Sequence, residues 1–156
     1  MDYRLLTQQL EALSEGEHRW LPLLANASAL LWESLDNLNW AGFYLTMPDD
    51  DGAPELVLGP FQGKVACTHI PWGRGVCGTA AAQDAIQRVE DVHAFAGHIA
   101  CDSASNSEIV IPLHKDGAVW GVLDIDSPLF SRFSKEDEAG LAAFAAAIEA
   151  GVANTR

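Results

Sequence analysis

The chain contains three cysteines, and all of them fall in its middle section: Cys67, Cys77 and Cys101. An odd number of cysteines fits a structural disulfide framework poorly. In a reducing compartment such thiols serve as buried apolar side chains, metal ligands or redox groups. Because none of the three lies in the periodic apolar pattern of a helix, their placement favours a chemical role.

Cys101 has the surroundings that a reactive thiolate requires. It is followed by the loop Asp102-Ser-Ala-Ser-Asn-Ser107, rich in backbone N–H groups and short polar side chains, and His98 precedes it by three positions. Such donors and cations stabilise a thiolate. If Cys101 were oxidised to a sulfenic acid, a second cysteine within reach would convert it to a disulfide that a reductant can open.

A zinc site is the alternative use of the same thiols. The segment Cys67-Thr-His69 and the other two cysteines supply four candidate ligands. Structural zinc sites usually bring their ligands in close pairs, and the sequence has no Cys-x-x-Cys pair. We therefore predict that the protein holds no metal.

Three acidic residues accompany two predicted strands. Glu108 opens one strand, and Asp124 and Asp126 lie near the end of the next. Because side chains alternate along a strand, Asp124 and Asp126 share a face. A solvent-exposed face would explain them, but Ser127-Pro128 marks a strand end, where sites tend to lie. If the carboxyls are crowded, at least one should stay protonated near neutrality as a general acid, while ionised neighbours bind an ammonium group.

Trp40 is the aromatic candidate for the same site. It begins the segment Trp-Ala-Gly-Phe-Tyr44, in which Trp40, Gly42 and Tyr44 share one strand face. A tryptophan at such a position is ordinarily part of the core. It could equally line a pocket for a methylthio or ammonium group, since both interact favourably with aromatic rings.

The helices that would support this site are predicted from apolar periodicity and capping residues. The first runs from the capping residue Asp2 to about Ser14, with four leucines on one side: Leu5, Leu6, Leu10 and Leu13. The second carries Pro22 in its first turn. A short helix is expected at 79–83, and Ser134 with Asp137 forms a capping box for a last helix over 135–153.

The strands are predicted from β-type runs separated by turn residues. They cover 40–46, 55–58, 64–70, 108–113 and 118–126, and the turn His114-Lys-Asp-Gly117 makes the last two a hairpin. A sixth strand could lie in the irregular segment 87–107. The order of elements predicts one α/β (α+β) domain over 1–156, with a largely antiparallel sheet packed by helices.

The charge and the hydropathy of the chain exclude two classes of binding partner. Only 9 residues are basic and the formal net charge is -13, which argues against nucleic acid and against an anionic membrane surface. The sequence shows neither a signal peptide nor an apolar stretch long enough to span a bilayer. We expect a cytoplasmic protein without a membrane or nucleic-acid partner.

Six segments of the chain together resemble the free methionine-(R)-sulfoxide reductases, a GAF-domain family. They are Asn39-Trp-Ala-Gly-Phe-Tyr44, Leu56-Val-Leu-Gly-Pro-Phe-Gln-Gly-Lys64, Gly75-Val-Cys-Gly78, Gly97-His-Ile-Ala-Cys-Asp102, Ser107-Glu-Ile-Val110 and Gly121-Val-Leu-Asp-Ile-Asp-Ser127. The resemblance covers nearly the whole chain, and the spacing of the three cysteines is specific to this family. Ala96 stands where a proline is common, and Met47 to Pro54 forms a longer hairpin tip than usual.

The resemblance implies a GAF-type antiparallel sheet of about six strands and reduction of free L-methionine-(R)-sulfoxide, an antioxidant repair of the amino acid. It implies that Cys101 attacks, that Cys67 is the main resolving cysteine and that Cys77 can join disulfide exchange. Substrate-binding roles fall on Trp40, Glu108, Asp124 and Asp126.

The same resemblance implies that thioredoxin is the external reductant, that no resident cofactor is needed, and that a homodimer is common. The alternative from another class is a non-catalytic GAF sensor of a small molecule. A pure sensor has no use for three spaced thiols, which favours the reductase.

Overall fold

A computed structural model describes residues 1–99 and 104–156, and these form four α-helices and a six-stranded sheet. The helices are α1 (Tyr3–Ser14), α2 (Trp20–Ser34), α3 (Gly75–Gln83) and α4 (Lys135–Val152). The strands are β1 (Trp40–Pro48), β2 (Pro54–Gly63), β3 (His69–Pro71), β4 (Gln87–Val89), β5 (Ser107–Lys115) and β6 (Ala118–Ser127), and a 3-10 turn covers Val92–Ala94. None of the described helices is long and apolar enough to cross a membrane.

The sheet has the order β3-β2-β1-β6-β5-β4, and every neighbouring pair is antiparallel. The predicted fold class, an antiparallel sheet of about six strands packed by helices, is therefore confirmed. The sixth strand, β4, lies in the irregular segment where the sequence left room for one. Its three residues pair with the start of β5, at the edge of the sheet.

Local signals set the ends of the elements. The Asp2 carboxylate accepts a hydrogen bond from the Leu5 N–H at 3.0 Å and caps α1. Ser134 and Asp137 cap α4 reciprocally, as predicted. In the β5–β6 turn, Asp116 and Gly117 have φ angles of 55° and 80°, the positive values that a two-residue hairpin turn requires.

Side-chain alternation along the strands divides the apolar interior into two clusters. One lies under α1, α2 and α4 and takes Phe43, Ile109 and Leu123 from the sheet. The other lies on the opposite face, where α3 packs against β5 and β6, and includes Val110 and Val122. The even-numbered positions of β5 and β6, which carry the three candidate acids, therefore point towards α3.

Three local predictions were wrong. The strand predicted over 64–70 is reduced to β3, because only His69–Pro71 pairs with β2, so Cys67 lies in an irregular segment. The short helix begins at Gly75 rather than residue 79, which places Cys77 in the first turn of α3. On α1, Leu5 and Leu13 are 50% and 44% exposed. Leu5 is about 100° around the helix from the buried Leu6, and Leu13 lies in the last turn.

Candidate active site

Cross-strand pairing brings the predicted tryptophan and acids into two adjacent rows. Asp126 on β6 lies between Trp40 on β1 and Glu108 on β5. In the next row, Asp124 lies between Gly42 and Val110. Because residues paired directly across a sheet point to the same face, the register alone gathers these four side chains on the α3 side.

A cavity lies between this face of the sheet and α3. Its wall includes Trp40, Glu108, Asp124 and Asp126 from the strands and Cys77 from α3. Further lining residues are Tyr44, Arg74, His98 and Ile99. The cavity therefore unites every predicted substrate-binding residue with one of the three cysteines.

The acids are buried in the cavity wall: the exposed fractions of Glu108, Asp124 and Asp126 are 6%, 5% and 8%. Burial raises the pKa of Glu108 well above its usual value, and the negative charges of Asp124 and Asp126 raise it further. Burial also raises the pKa of Asp124, although hydrogen bonds with Glu108 and Cys77 partly offset that rise. Burial and the neighbouring carboxylates therefore favour the protonated form of Glu108.

Two buried polar atoms at the cavity have no hydrogen-bond partner among residues 1–99 and 104–156: Nε1 of Trp40 and Oδ1 of Asp124. A buried polar group left without a partner costs about 1–3 kcal/mol, so most such groups in folded proteins are paired. Trp40 Nε1 is a donor and Asp124 Oδ1 an acceptor. A ligand that offers both an acceptor and a donor would satisfy the pair.

Trp40 is held in place by its aromatic neighbours. Its ring stacks with Tyr44 at a centroid distance of 5.7 Å and with Phe61 at 5.1 Å, with interplanar angles of 22° and 14°. Gly63 has a φ of +131°, and a Cβ there would lie 2.8 Å from Trp40 Cδ1. The absence of a side chain at Gly63 therefore leaves the space that the indole occupies.

Cys77 is a free thiol, 5% exposed, whose Sγ donates towards Glu108 Oε2 at 3.9 Å. Burial raises the pKa of this thiol well above its usual value, and the charges of Asp124 and Glu108 raise it further. A thiol whose thiolate is so disfavoured is a poor nucleophile near neutral pH.

Cys67 lies in the irregular segment before β3 and is disulfide-bonded. The hydroxyl of Tyr44 donates a hydrogen bond to the backbone carbonyl of Cys67 at 3.0 Å. Cys101, the predicted attacking thiol, lies outside the described residues. Of the three candidate catalytic cysteines, Cys77 therefore lies in the cavity wall. Cys67 is hydrogen-bonded through its carbonyl to Tyr44, which also lines the cavity.

Two of the four ligands considered for zinc from the sequence, Cys67 and His69, have other partners in the described part of the chain. His69 Nδ1 lies 2.9 Å from Glu55 Oε1, and the imidazole side chain is 62% exposed. Cys67 is already disulfide-bonded, so this segment does not offer the two ligands that the spacing suggested.

The cavity also contains Tyr44 and Arg74, for which the sequence predicts no binding role. Tyr44 carried a usable signal, because it shares the alternation of Trp40. Arg74 carried none: it precedes α3 in a turn, outside any strand pattern. His98, which precedes Cys101 by three positions in the sequence, also lines the cavity. Burial lowers the pKa of His98, and the nearby His93 lowers it further.

Comparison with known proteins identifies the family of the chain. A model of the GAF domain matches residues 22–152. The free methionine-R-sulfoxide reductase of Escherichia coli (strain K12) is 58% identical over 153 residues, which are 98% of this chain and 90% of that protein. The reduced form of fRMsr of Staphylococcus aureus is 51% identical, with a TM-score of 0.90 over 97% of this chain and 96% of that one.

A third relative was solved with a ligand. Free methionine-R-sulfoxide reductase from Neisseria meningitidis, in complex with its substrate, is 46% identical to this chain. Its TM-score is 0.88, over 96% of this chain and 87% of that one. The chain therefore belongs to the GAF-domain family of free methionine-R-sulfoxide reductases.

Proposed function

We propose that the protein reduces free L-methionine-(R)-sulfoxide to methionine. The observation that carries the proposal is the cavity in which a buried Glu108, whose pKa is raised by that burial, lies beside two aspartates and Trp40. Its chemistry fits a zwitterionic amino acid that bears a sulfoxide. The relative from Escherichia coli carries the name of this activity, and the relative from Neisseria meningitidis was solved with its substrate.

Substrate binding follows from the unsatisfied groups of the cavity. The ammonium group of the amino acid supplies donors to Asp124 and Asp126, and so satisfies Asp124 Oδ1. The methyl sulfoxide packs against the Trp40 ring, and its oxygen accepts from the indole Nε1. A peptide nitrogen carries no positive charge, so the same cavity discriminates against sulfoxides within proteins.

Reduction begins with the Cys101 thiolate attacking the sulfoxide sulfur while Glu108 gives its proton to the sulfoxide oxygen. The oxygen ends on Cys101 as a sulfenic acid, methionine leaves, and the cysteine sulfur has been oxidised by two electrons. Cys67 then attacks Cys101, forming a disulfide and releasing water. Two observations support this pair: Cys67 is disulfide-bonded, and Cys77 is a free thiol.

Recycling of the enzyme is assigned to thioredoxin, whose dithiol would reduce the disulfide and become oxidised itself. We further propose that the protein works in the cytoplasm, needs no resident cofactor and acts as a homodimer. Reduced thioredoxin is available in that compartment. Size-exclusion chromatography with light scattering tests the dimer directly.

The decisive experiment is turnover of resolved R and S epimers of free methionine sulfoxide with thioredoxin, thioredoxin reductase and NADPH. It is run on the natural chain and on three variants, Cys67→Ser, Cys77→Ser and Cys101→Ser. We expect turnover of the R epimer only, none in Cys101→Ser, and a single turnover without thioredoxin-linked cycling in Cys67→Ser. Normal activity of Cys101→Ser would refute the mechanism. Tight ligand binding without any turnover would instead favour a small-molecule sensor.

A further inference from the structure

The proposed reaction leaves Cys77 without an essential role, although its thiol lies in the cavity wall. Its sulfur and one carboxylate oxygen from each of Glu108 and Asp124 all lie within 4.8 Å of one another, and the three residues are buried. The separation of Cys77 Sγ from Glu108 Oε2 is 3.9 Å. In a tetrahedral zinc site, a sulfur and an oxygen ligand are about 3.6 Å apart, given the usual bond lengths.

The charges around this group also fit a cation. Within the described part of the chain, neither Glu108 nor Asp124 forms an ion pair with a basic side chain. Asp124 Oδ1 is buried and has no hydrogen-bond donor there either. Three groups that can each become negative thus lie close together in a medium of low dielectric constant, where their attraction for a dication is stronger than in water.

We propose that the cavity binds Zn²⁺ through Cys77, Glu108 and Asp124, in competition with the amino-acid substrate. Zinc is favoured over Mg²⁺ or Ca²⁺ because a thiolate is a soft ligand, whereas those ions take oxygen ligands. On binding, the Cys77 thiol loses its proton to solvent, as does Glu108 if it is protonated; the thiolate sulfur binds the metal, and no atom changes oxidation state. The ion is an inhibitor rather than a cofactor, since it occupies two acids that the substrate needs.

Metal binding itself is independent of the proposed reductase activity, and only the competition with substrate rests on it. The test protein therefore carries Cys67→Ser and Cys101→Ser, so that Cys77 is its single thiol. Co²⁺ is the probe, because a cobalt–thiolate bond gives a charge-transfer absorption in the near ultraviolet. We expect one Co²⁺ per chain with this absorption, and its loss when Zn²⁺ is added but not when Mg²⁺ is added.

Matched variants locate the site. In this protein Asp124→Asn should weaken Co²⁺ binding by about 100-fold, the upper end of what losing a metal-supporting group costs. Glu55→Gln removes a carboxyl outside the cavity and should leave binding unchanged. Circular dichroism confirms that each variant is folded. A thiolate absorption that survives Cys77→Ser, or Co²⁺ binding that is equal in Asp124→Asn and Glu55→Gln, would overturn the site.

Competition is measured by calorimetric titration of the same protein with methionine, in the presence and absence of Zn²⁺. We expect saturating Zn²⁺ to weaken methionine binding by at least about tenfold, as mutual exclusion requires. Unchanged methionine affinity beside proven Zn²⁺ binding would overturn the competition. If methionine does not bind even without metal, the proposed function fails while the cobalt absorption still reports the metal site, so the two failures are distinguishable.

Discussion

The hydroxyl of Tyr44 donates a hydrogen bond to the backbone carbonyl of Cys67 at 3.0 Å, which ties a central strand to an irregular segment. Tyr44 is buried, and that burial raises the pKa of its hydroxyl, with the charge of Asp124 adding to the rise. The hydroxyl therefore stays protonated and remains a donor throughout the working pH range. Through this bond, the ring that stacks on Trp40 also positions the candidate resolving cysteine.

Tyr44→Phe tests that link. The phenyl ring keeps the stacking contact, whereas the bond to Cys67 is lost, so attack by Cys101 should be spared and disulfide formation slowed. One such hydrogen bond corresponds to about a fivefold change in rate. Single-turnover assays would compare methionine release with disulfide formation. The control is Tyr3→Phe, which removes a hydroxyl bonded to Asp137 on α4. Equal slowing of both steps, or of neither, would contradict the role given to Tyr44.

Glu108→Gln replaces the candidate proton donor by a neutral isostere. We expect kcat/KM for free methionine-(R)-sulfoxide to fall by about 10²–10⁴-fold, the usual contribution of a general acid. Thermal stability near neutral pH should rise, because the unfolded glutamate is ionised there and its raised folded pKa costs stability that a glutamine does not. Glu55→Gln serves as control. Unaltered kcat/KM in Glu108→Gln would mean that another group donates the proton.

The activity of the natural chain should also decline as the pH rises. The pKa of Glu108 in the folded protein is raised, first by burial and then by Asp124 and Asp126. The proton needed for catalysis is therefore present below that pKa and lost as the pH rises through it. Stability is lost over a lower range, as the pH rises from the ordinary glutamate pKa towards the raised folded pKa, because the unfolded chain loses this proton first. A kcat/KM profile that lacks this alkaline decline in the natural chain would refute the assignment.

His114 gives a separate pH dependence, far from the chemistry. Its Nε2 lies 2.6 Å from Asp84 Oδ1 and its Nδ1 lies 2.8 Å from Glu149 Oε2. The hydrogen bond with Asp84 raises the pKa of His114; burial opposes this, and Glu149 adds to the rise. The resulting stability is fully present below the unfolded pKa of about 6.5 and is lost as the pH rises through the folded value.

His114→Gln should therefore lower Tm at pH 6 more than at pH 9. The side chain is 41% exposed, so solvent screening limits the effect to about 1 kcal/mol or less, or about 3 °C. Calorimetric scans at the two pH values measure it. His18→Gln is the control, since the His18 side chain makes no ion pair within the described residues. A pH-independent loss would show that the contact is not charge-assisted.

Gly63→Ala should destabilise the fold and displace Trp40. An added Cβ meets both Trp40 Cδ1 and the backbone oxygen of Asn39 at 2.8 Å, at a φ of +131° that residues other than glycine avoid. The control is Gly52→Ala, where φ is +85° and nothing lies within 4 Å of the added carbon. We expect Gly63→Ala to cost about 1–3 kcal/mol more than the control in denaturant unfolding. Equal losses would mean that only the backbone angle matters.

The sequence predicted those parts of the site that depend on alternation along strands. Trp40, Asp124 and Asp126 point to one face because of their spacing, and the hairpin turn before Ala118 aligns them with Glu108. Burial of the acids could not be predicted in this way, because it depends on α3 covering that face. The small residues of α3 show no strong amphipathic period, so its start and the place of Cys77 were missed.

The bond between Tyr44 and Cys67 was also beyond prediction. Residues 64–68 lack the regular pairing that would fix their position, and a single tertiary hydrogen bond leaves no mark on local sequence. The role of Cys101 stays a prediction, since this residue lies outside the described ranges. The resemblance of the six segments supplied the family, which the comparisons then confirmed.

Because β6 contributes alternate residues to the site and to the apolar core, a change in its register affects both at once. Asp124 and Asp126 point to the cavity while Leu123 and Ile125 enter the opposite core. Inserting one residue into the middle of β6 would turn the following carboxylates into the apolar core and the aliphatic side chains into the cavity. For protein engineering, this rules β6 out for insertions, whereas the exposed residues 50–52 at the tip of the β1–β2 hairpin offer a site for a tag.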